Sequence, residues 1–235
     1  MTELENLSAF LARTSGFTSD SLPHSGGLDT SPGLSLKVRP DGSMKPFMGN
    51  TVVFPLPEQA KQEIGRIQDR LYQACAPALA EPLTVSSFHI TLHDLLSGTP
   101  TQSLSGRVAR VREPALACLE RISAKRETVC LRSTALFNMV NTSMVLGFAP
   151  ADETSCERLM TYYEMLQAVV PLGYPLTPHV TVAYFRPGAV TAELTERLRE
   201  AAAEAGQRKK LFVKLSTEAL ELQLFSDMNH YWADM

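Results

Sequence analysis

Two tetrapeptides, His89-Ile-Thr-Leu92 and His179-Val-Thr-Val182, constrain this chain more than any other feature. They stand 179 − 89 = 90 residues apart and share one pattern, polar and apolar residues in strict alternation. On a β-strand, residues i and i+2 point to the same face. His89 therefore joins Thr91 and His179 joins Thr181, while Ile90, Leu92, Val180 and Val182 turn to the core. A lone His-x-Thr strand more often marks a structural histidine. Two copies at the spacing of an internal repeat point instead to a shared role.

Both motifs close the same plan. Thr51 to Phe54 reads as a buried strand ended by Pro55 and Pro57, and Ile64, Ile67 and Leu71 mark the helix that follows. Leu83 to Leu92, dense in β-branched residues, predicts the strand of the first motif. In the second half Ser143 to Phe148 predicts a strand, Leu159, Tyr162, Leu166 and Val169 one face of a helix, and Pro178 to Ala183 the second motif strand. Between the halves, Pro114 opens a predicted helix that runs to Ile122. Leu194, Leu198 and Ala201 predict a last helix ending near Gly206, and Leu211 to Leu215 and Ala219 to Phe225 predict closing strands. The repeated order predicts an α+β fold: two pseudo-symmetric antiparallel sheets with flanking helices and a central cleft.

Thr14 to Gly33 is rich in Ser, Gly, Asp and Pro without an apolar period, so residues 1–33 are expected to form an N-terminal arm or loop. Residues 34–235 then make a single bilobal domain, with the motifs at 89–92 and 179–182. Leu34 to Arg39 and Met44 to Phe47, on either side of Asp41-Gly42, predict a hairpin.

The chain has 235 residues, 44% of them hydrophobic, enough to bury a sizeable core. Its formal charge, 22 − 25 = −3, supplies no bulk positive field to hold long nucleic acid, so a nucleic-acid partner should be short or gripped locally. Cys75, Cys118, Cys130 and Cys156 form no Cys-x-x-Cys pair, and Met1 to Phe10 is acidic rather than apolar, which reads as reduced thiols in a cytoplasmic protein. No apolar run is long enough for a membrane helix, and no obligate protein partner is evident.

If the halves pack about a pseudo-twofold axis, two imidazoles and two hydroxyls face one cleft. In-line displacement at phosphorus needs a base on the attacking side and an acid on the leaving side, and histidine supplies either form near neutral pH. Threonine hydroxyls can donate to the non-bridging oxygens where charge must be stabilised. This chemistry calls for no metal and no cofactor.

With these motifs the sequence resembles the 2H phosphoesterase superfamily. That group holds the bacterial RNA 2′,3′-cyclic phosphodiesterases, also called 2′-5′ RNA ligases, and the plant cyclic phosphodiesterases. The resemblance runs from about Asn50 to Phe225 and includes Pro178 before His179 and the opening Val52-Val-Phe-Pro-Leu-Pro-Glu58. It implies a bilobal fold with a central cleft, His89 as the base activating water, His179 as the acid protonating the leaving oxygen, and Thr91 and Thr181 as phosphate ligands. The implied reaction is hydrolysis of a phosphodiester, such as a 2′,3′-cyclic phosphate on a nucleotide or a short RNA end. RNA-ligase-like members often carry a basic residue soon after the second motif, where this chain has Ala183, Tyr184 and Phe185.

Other readings compete. A nucleotide- or RNA-binding protein of the same fold would keep the cleft and turn nothing over. His93 would join His89 in a metal site only on a helix; on a strand four residues span roughly 13 Å, so His93 is expected to be peripheral or structural. The basic residues from Arg107 to Arg132 read as a solvated helix face. Tyr184 and Phe185, beside the second motif, are candidates for stacking on a substrate base.

Overall fold

The computed structural model describes residues 4–207 and 209–234. In chain order the helices are α1 (Leu7–Thr14), α2 (Glu58–Cys75), α3 (Gln102–Ser123), α4 (Glu153–Gln167) and α5 (Ala192–Gly206). The strands before the chain midpoint are β1 (Leu28–Asp29), β2 (Met48–Pro55) and β3 (His89–Gly98). They continue with β4 (Thr128–Met139), β5 (Ser143–Pro150), β6 (His179–Tyr184) and β7 (Ala189–Val190), and end with β8 (Phe212–Ser216), β9 (Glu221–Asp227) and β10 (His230–Ala233).

Two four-stranded antiparallel sheets, in the orders β10-β9-β2-β3 and β6-β5-β4-β8, form the two lobes of an α+β fold. Each motif opens the outermost strand of its sheet, and β3 and β6 pack against each other where the lobes meet. The repeat read from the sequence is therefore physical: β2–α2–β3 answers β5–α4–β6. The sheets are inwardly apolar; every residue of β5 is buried, as are Val52, Val53 and Phe54 of β2. In α2 the buried residues Ala60, Ile64, Ile67 and Leu71 follow the helical period, laying one face on the core.

Three local expectations change. The strand expected from Leu83 starts at His89, because Val85–Ser87 is a 3-10 turn in which the Ser87 hydroxyl donates to the Thr84 carbonyl at 2.7 Å. The hairpin expected between Leu34 and Phe47 is reduced to one bridge, Val38 with Met44, and Pro32–Leu36 is a 3-10 turn. Only its turn survives, with Gly42 at φ +91° and the Asp41 carboxylate accepting from the Ser43 backbone at 2.9 Å. Finally, Pro114 lies inside α3 rather than at its start, which is capped by Thr101 accepting from the Leu104 backbone at 3.1 Å. The carbonyl freed by the proline belongs to Arg110, on an exposed turn where water can satisfy it.

The segment up to Gly33 is largely irregular between Thr14 and Gly33, yet it is fastened down. Phe10 is fully buried, β1 pairs with β7, and Phe17 stacks on Phe137 with ring centroids 5.1 Å apart. Arg13 grips Glu5 through two 2.7 Å bonds and donates to the Leu176 carbonyl at 2.9 Å, tying α1 to the loop that leads into β6.

Gln68 of α2 fixes both motif approaches at once. Its buried amide donates at 3.0 Å to the carbonyls of Leu83, ahead of the first motif, and Val182, inside the second. Gln68→Leu keeps the volume but leaves both carbonyls without this partner; at about 1–3 kcal/mol for each buried unmade bond, a loss of about 2–6 kcal/mol is expected in denaturant unfolding. A change under about 0.5 kcal/mol would show that other groups take over.

Candidate active site

A cleft of about 630 Å³ lies between β3 and β6 and is lined by His89, Thr91, His179, Thr181 and Tyr184. Its size is that of a pocket for a small molecule. All four motif residues predicted for catalysis and phosphate binding thus meet in one space, and each imidazole is partly exposed to it.

The two histidines are held in the same way. His89 Nδ1 lies 2.7 Å from the Ser87 carbonyl, and His179 Nδ1 lies 2.7 Å from the Thr177 carbonyl. In each half the acceptor is two residues upstream. A carbonyl can only accept, so the proton belongs on Nδ1 and the Nε2 lone pair is left free for the cleft.

Burial lowers the pKa of both imidazoles. For His89 it outweighs the opposing hydrogen bond to Ser87 and the charge of Asp94, and carries the pKa down to about 4. His179 is lowered from 6.5 by the same desolvation, against its bond to Thr177 and the pull of Asp94. Both are neutral in the open cleft near pH 7. Between pH 6.5 and about 4 the unfolded chain takes up protons that folded His89 refuses, so this histidine makes the fold less stable as pH falls through that window.

A second matched feature was not legible in the alternation. In β3, Thr91 pairs with Val53 and His93 with Val52, which leaves Leu92 without a partner. In β6, Thr181 pairs with Val145 and Ala183 with Met144, which leaves Val182 without one. A one-residue bulge therefore follows each His-x-Thr and reverses the parity beyond it. Asp94 and Tyr184, each five residues after its histidine, come to the cleft face.

That reversal sorts the remaining candidates. Unbroken alternation from His179 would bring Phe185 to the cleft and bury Tyr184. Instead Tyr184 lines the cleft and Phe185 is fully buried in the core, bridged to Leu79, so Phe185 is withdrawn as a substrate contact. His93 is buried with Leu92 in the wall of the cleft, its ring centroid 5.1 Å from that of Tyr163 on α4. Arg186, the first basic residue after the second motif, lies past the end of β6, its Nε donating to the Leu79 carbonyl at 2.8 Å.

Further residues from outside the two motifs shape the site. Lys37 Nζ stands 5.0 Å from the Phe47 ring centroid and 5.8 Å from that of Tyr184. The Tyr231 ring meets His89 edge-on at 5.0 Å. Asp94 accepts from the Tyr174 hydroxyl at 3.0 Å. The pairing register and the tertiary packing bring these residues to the cleft.

No protein-family model and no curated protein matches the sequence. Among solved structures, Atu0111 of Agrobacterium tumefaciens C58, described as a conserved protein of unknown function, has the same fold. It is 21% identical at a TM-score of 0.60, over 88% of this chain and 93% of its own. More distant likenesses are TT0787 of Thermus thermophilus (14% identity, TM-score 0.48, 79% of this chain and 94% of that one) and Escherichia coli LigT complexed with 3′-AMP (13%, 0.47, 81% and 97%). Among the described residues no helix is long and apolar enough to cross a membrane.

The tautomer and the lowered pKa values are open to direct measurement. Long-range ¹H–¹⁵N spectra at neutral pH are expected to show both cleft imidazoles as Nδ1–H tautomers, titrating below 6.5. Saturation with inorganic phosphate should raise at least one midpoint, since a bound anion favours the charged ring. Midpoints at or above 6.5 in the free protein would refute the assignment.

Proposed function

We propose that the chain is a two-histidine phosphoesterase, a member of the 2H superfamily its motifs resemble, acting on a phosphodiester such as a nucleoside 2′,3′-cyclic phosphate or the cyclic end of a short RNA. The observation that carries this reading is the repetition of the histidine environment: two Nδ1 hydrogen bonds of 2.7 Å, each to the carbonyl two residues upstream, beside two threonines in one cleft.

In the proposed reaction a water oxygen attacks phosphorus while His89 Nε2 takes its proton. The bond from phosphorus to one ester oxygen breaks, and that oxygen takes a proton from His179 Nε2. Thr91 and Thr181 hydroxyls donate to the non-bridging oxygens, where they stabilise the charge that gathers there. The reaction leaves a phosphomonoester, His89 protonated and His179 neutral; exchange with solvent resets the pair.

A neutral and a protonated imidazole must coexist, although burial favours two neutral ones. The substrate's own negative charge supplies the correction by favouring protonation of a neighbouring ring. A binding protein without turnover draws support from the same low pKa values, because a cleft that never protonates His179 has no acid.

Turnover of the four nucleoside 2′,3′-cyclic monophosphates in the presence of EDTA distinguishes these. Turnover is expected in the intact protein, with losses of about 10²–10⁴ in kcat for His89→Ala and for His179→Ala. Saturable binding without hydrolysis would establish the binding reading instead; retention of activity in either variant would remove the two-histidine mechanism.

The pH dependence follows from the same shifts. In the free protein the one-proton form of the pair is most populated between the two lowered pKa values, so kcat/KM is expected to peak below pH 6.5. In the complex the bound anion raises both values, and the kcat optimum should lie at higher pH than that of kcat/KM. Coincident optima above about pH 8 would contradict this account.

A further inference from the structure

We infer that Asp94 selects the charge of what the cleft holds: its carboxylate admits a singly charged phosphodiester and disfavours dianionic monoesters and polyanionic chains. The inference rests on the phosphoesterase reading and adds the substrate's charge class to it.

The bulge at Leu92 brings Asp94 to the face that carries His89 and Thr91, and the equivalent place on β6 is taken by the uncharged Tyr184. Its carboxylate accepts from the Tyr174 hydroxyl but has no ion-pair partner among the described residues. It is exposed to the cleft and close enough to act on both histidines, where its pull is weaker than burial but of the same sign in each.

The opposing charge is small. Lys37 is the one lysine lining the cleft among the described residues, and Arg13, the arginine there, is held by both oxygens of the Glu5 carboxylate and by the Leu176 carbonyl. In the empty cleft near neutral pH both imidazoles are uncharged. A phosphate therefore enters a cleft that offers one free cation and one free carboxylate, and each further negative charge on the ligand meets Asp94 again. A site built for a dianion would hold an excess of cations.

Direction follows from this. Hydrolysis turns a monoanionic diester into a monoester whose second pKa is about 6, so the product gains a charge beside Asp94 at neutral pH. The carboxylate thus favours substrate entry over product retention.

The test compares two ligands by calorimetry at about pH 7.5, where the histidines of the free protein are neutral: adenosine 3′-monophosphate, a dianion, and its methyl phosphodiester, a monoanion. Asp94→Asn keeps an oxygen for Tyr174 and removes the charge. Because the electrostatic energy scales with ligand charge, the fold-changes should stand as a square: roughly threefold tighter for the monoanion and about tenfold for the dianion. Tyr174→Phe removes the hydrogen bond but keeps the charge, and should shift both ligands by the same factor. Equal shifts, or none, in Asp94→Asn overturn the inference and leave the phosphoesterase reading standing. Failure of every protein to bind either ligand at millimolar concentration overturns both.

Discussion

The site depends on one hydrogen bond made twice: a histidine Nδ1–H donating to the carbonyl two residues behind it. In each case the acceptor belongs to the turn or loop that enters the strand, so the approach to the motif and the imidazole's tautomer are fixed together. Turning either ring would forfeit a bond in a half-buried place and present a protonated nitrogen to the cleft. The sheets' role is to hold these two short segments face to face. Sheet order makes that possible, since β3 and β6 are outer strands and meet along the seam between the lobes.

The motif strands are not regular, and their irregularity is as matched as their letters. Leu92 and Val182 are each bulged, each immediately after the threonine. A regular strand would put every second residue in the cleft. The bulge sends two successive residues to the core, Leu92 with His93 and Val182 with Ala183, and then presents Asp94 or Tyr184. Gln68 completes the second copy by donating to the carbonyl of the bulged Val182, a group displaced from the regular ladder.

This geometry explains what the sequence disclosed and what it withheld. The repeat, the two sheets, the four motif residues and the cleft were legible because they follow from period-two alternation and from a pattern recurring after 90 residues. The bulges were not, because Leu92 and Val182 are ordinary strand residues and no local signal marks them as unpaired. Tyr184 and Phe185 are equivalent in the sequence, two aromatic residues beside the second motif, and only the register separates them. Pro114 reads as a helix start on propensity, but Leu104 and Val108 bury the turns before it, and packing outweighs the one lost hydrogen bond. Lys37 was hidden by the hairpin pattern around it: the 3-10 turn at Pro32–Leu36 aims the residue after it toward Phe47 and Tyr184.

Symmetry alone would not make a useful catalyst, since in-line displacement needs one base and one acid. The duplicated frame provides two equivalent imidazoles, and differences must come from residues that the repeat does not copy. Two are visible at the fifth position after each histidine, a carboxylate on β3 and a phenol ring on β6. A third comes from outside the repeat, since Lys37 stands over Tyr184 and its charge acts on His179, while Lys61 and His179 act on His89. A phosphodiester bound between the histidines would lie in a field running from Lys37 to Asp94, with its charge drawn toward one end and its hydrogen-bond donors toward the other. Orientation in the cleft would then be set by these unmatched groups, and the identical histidines would acquire different roles from the way the substrate lies between them.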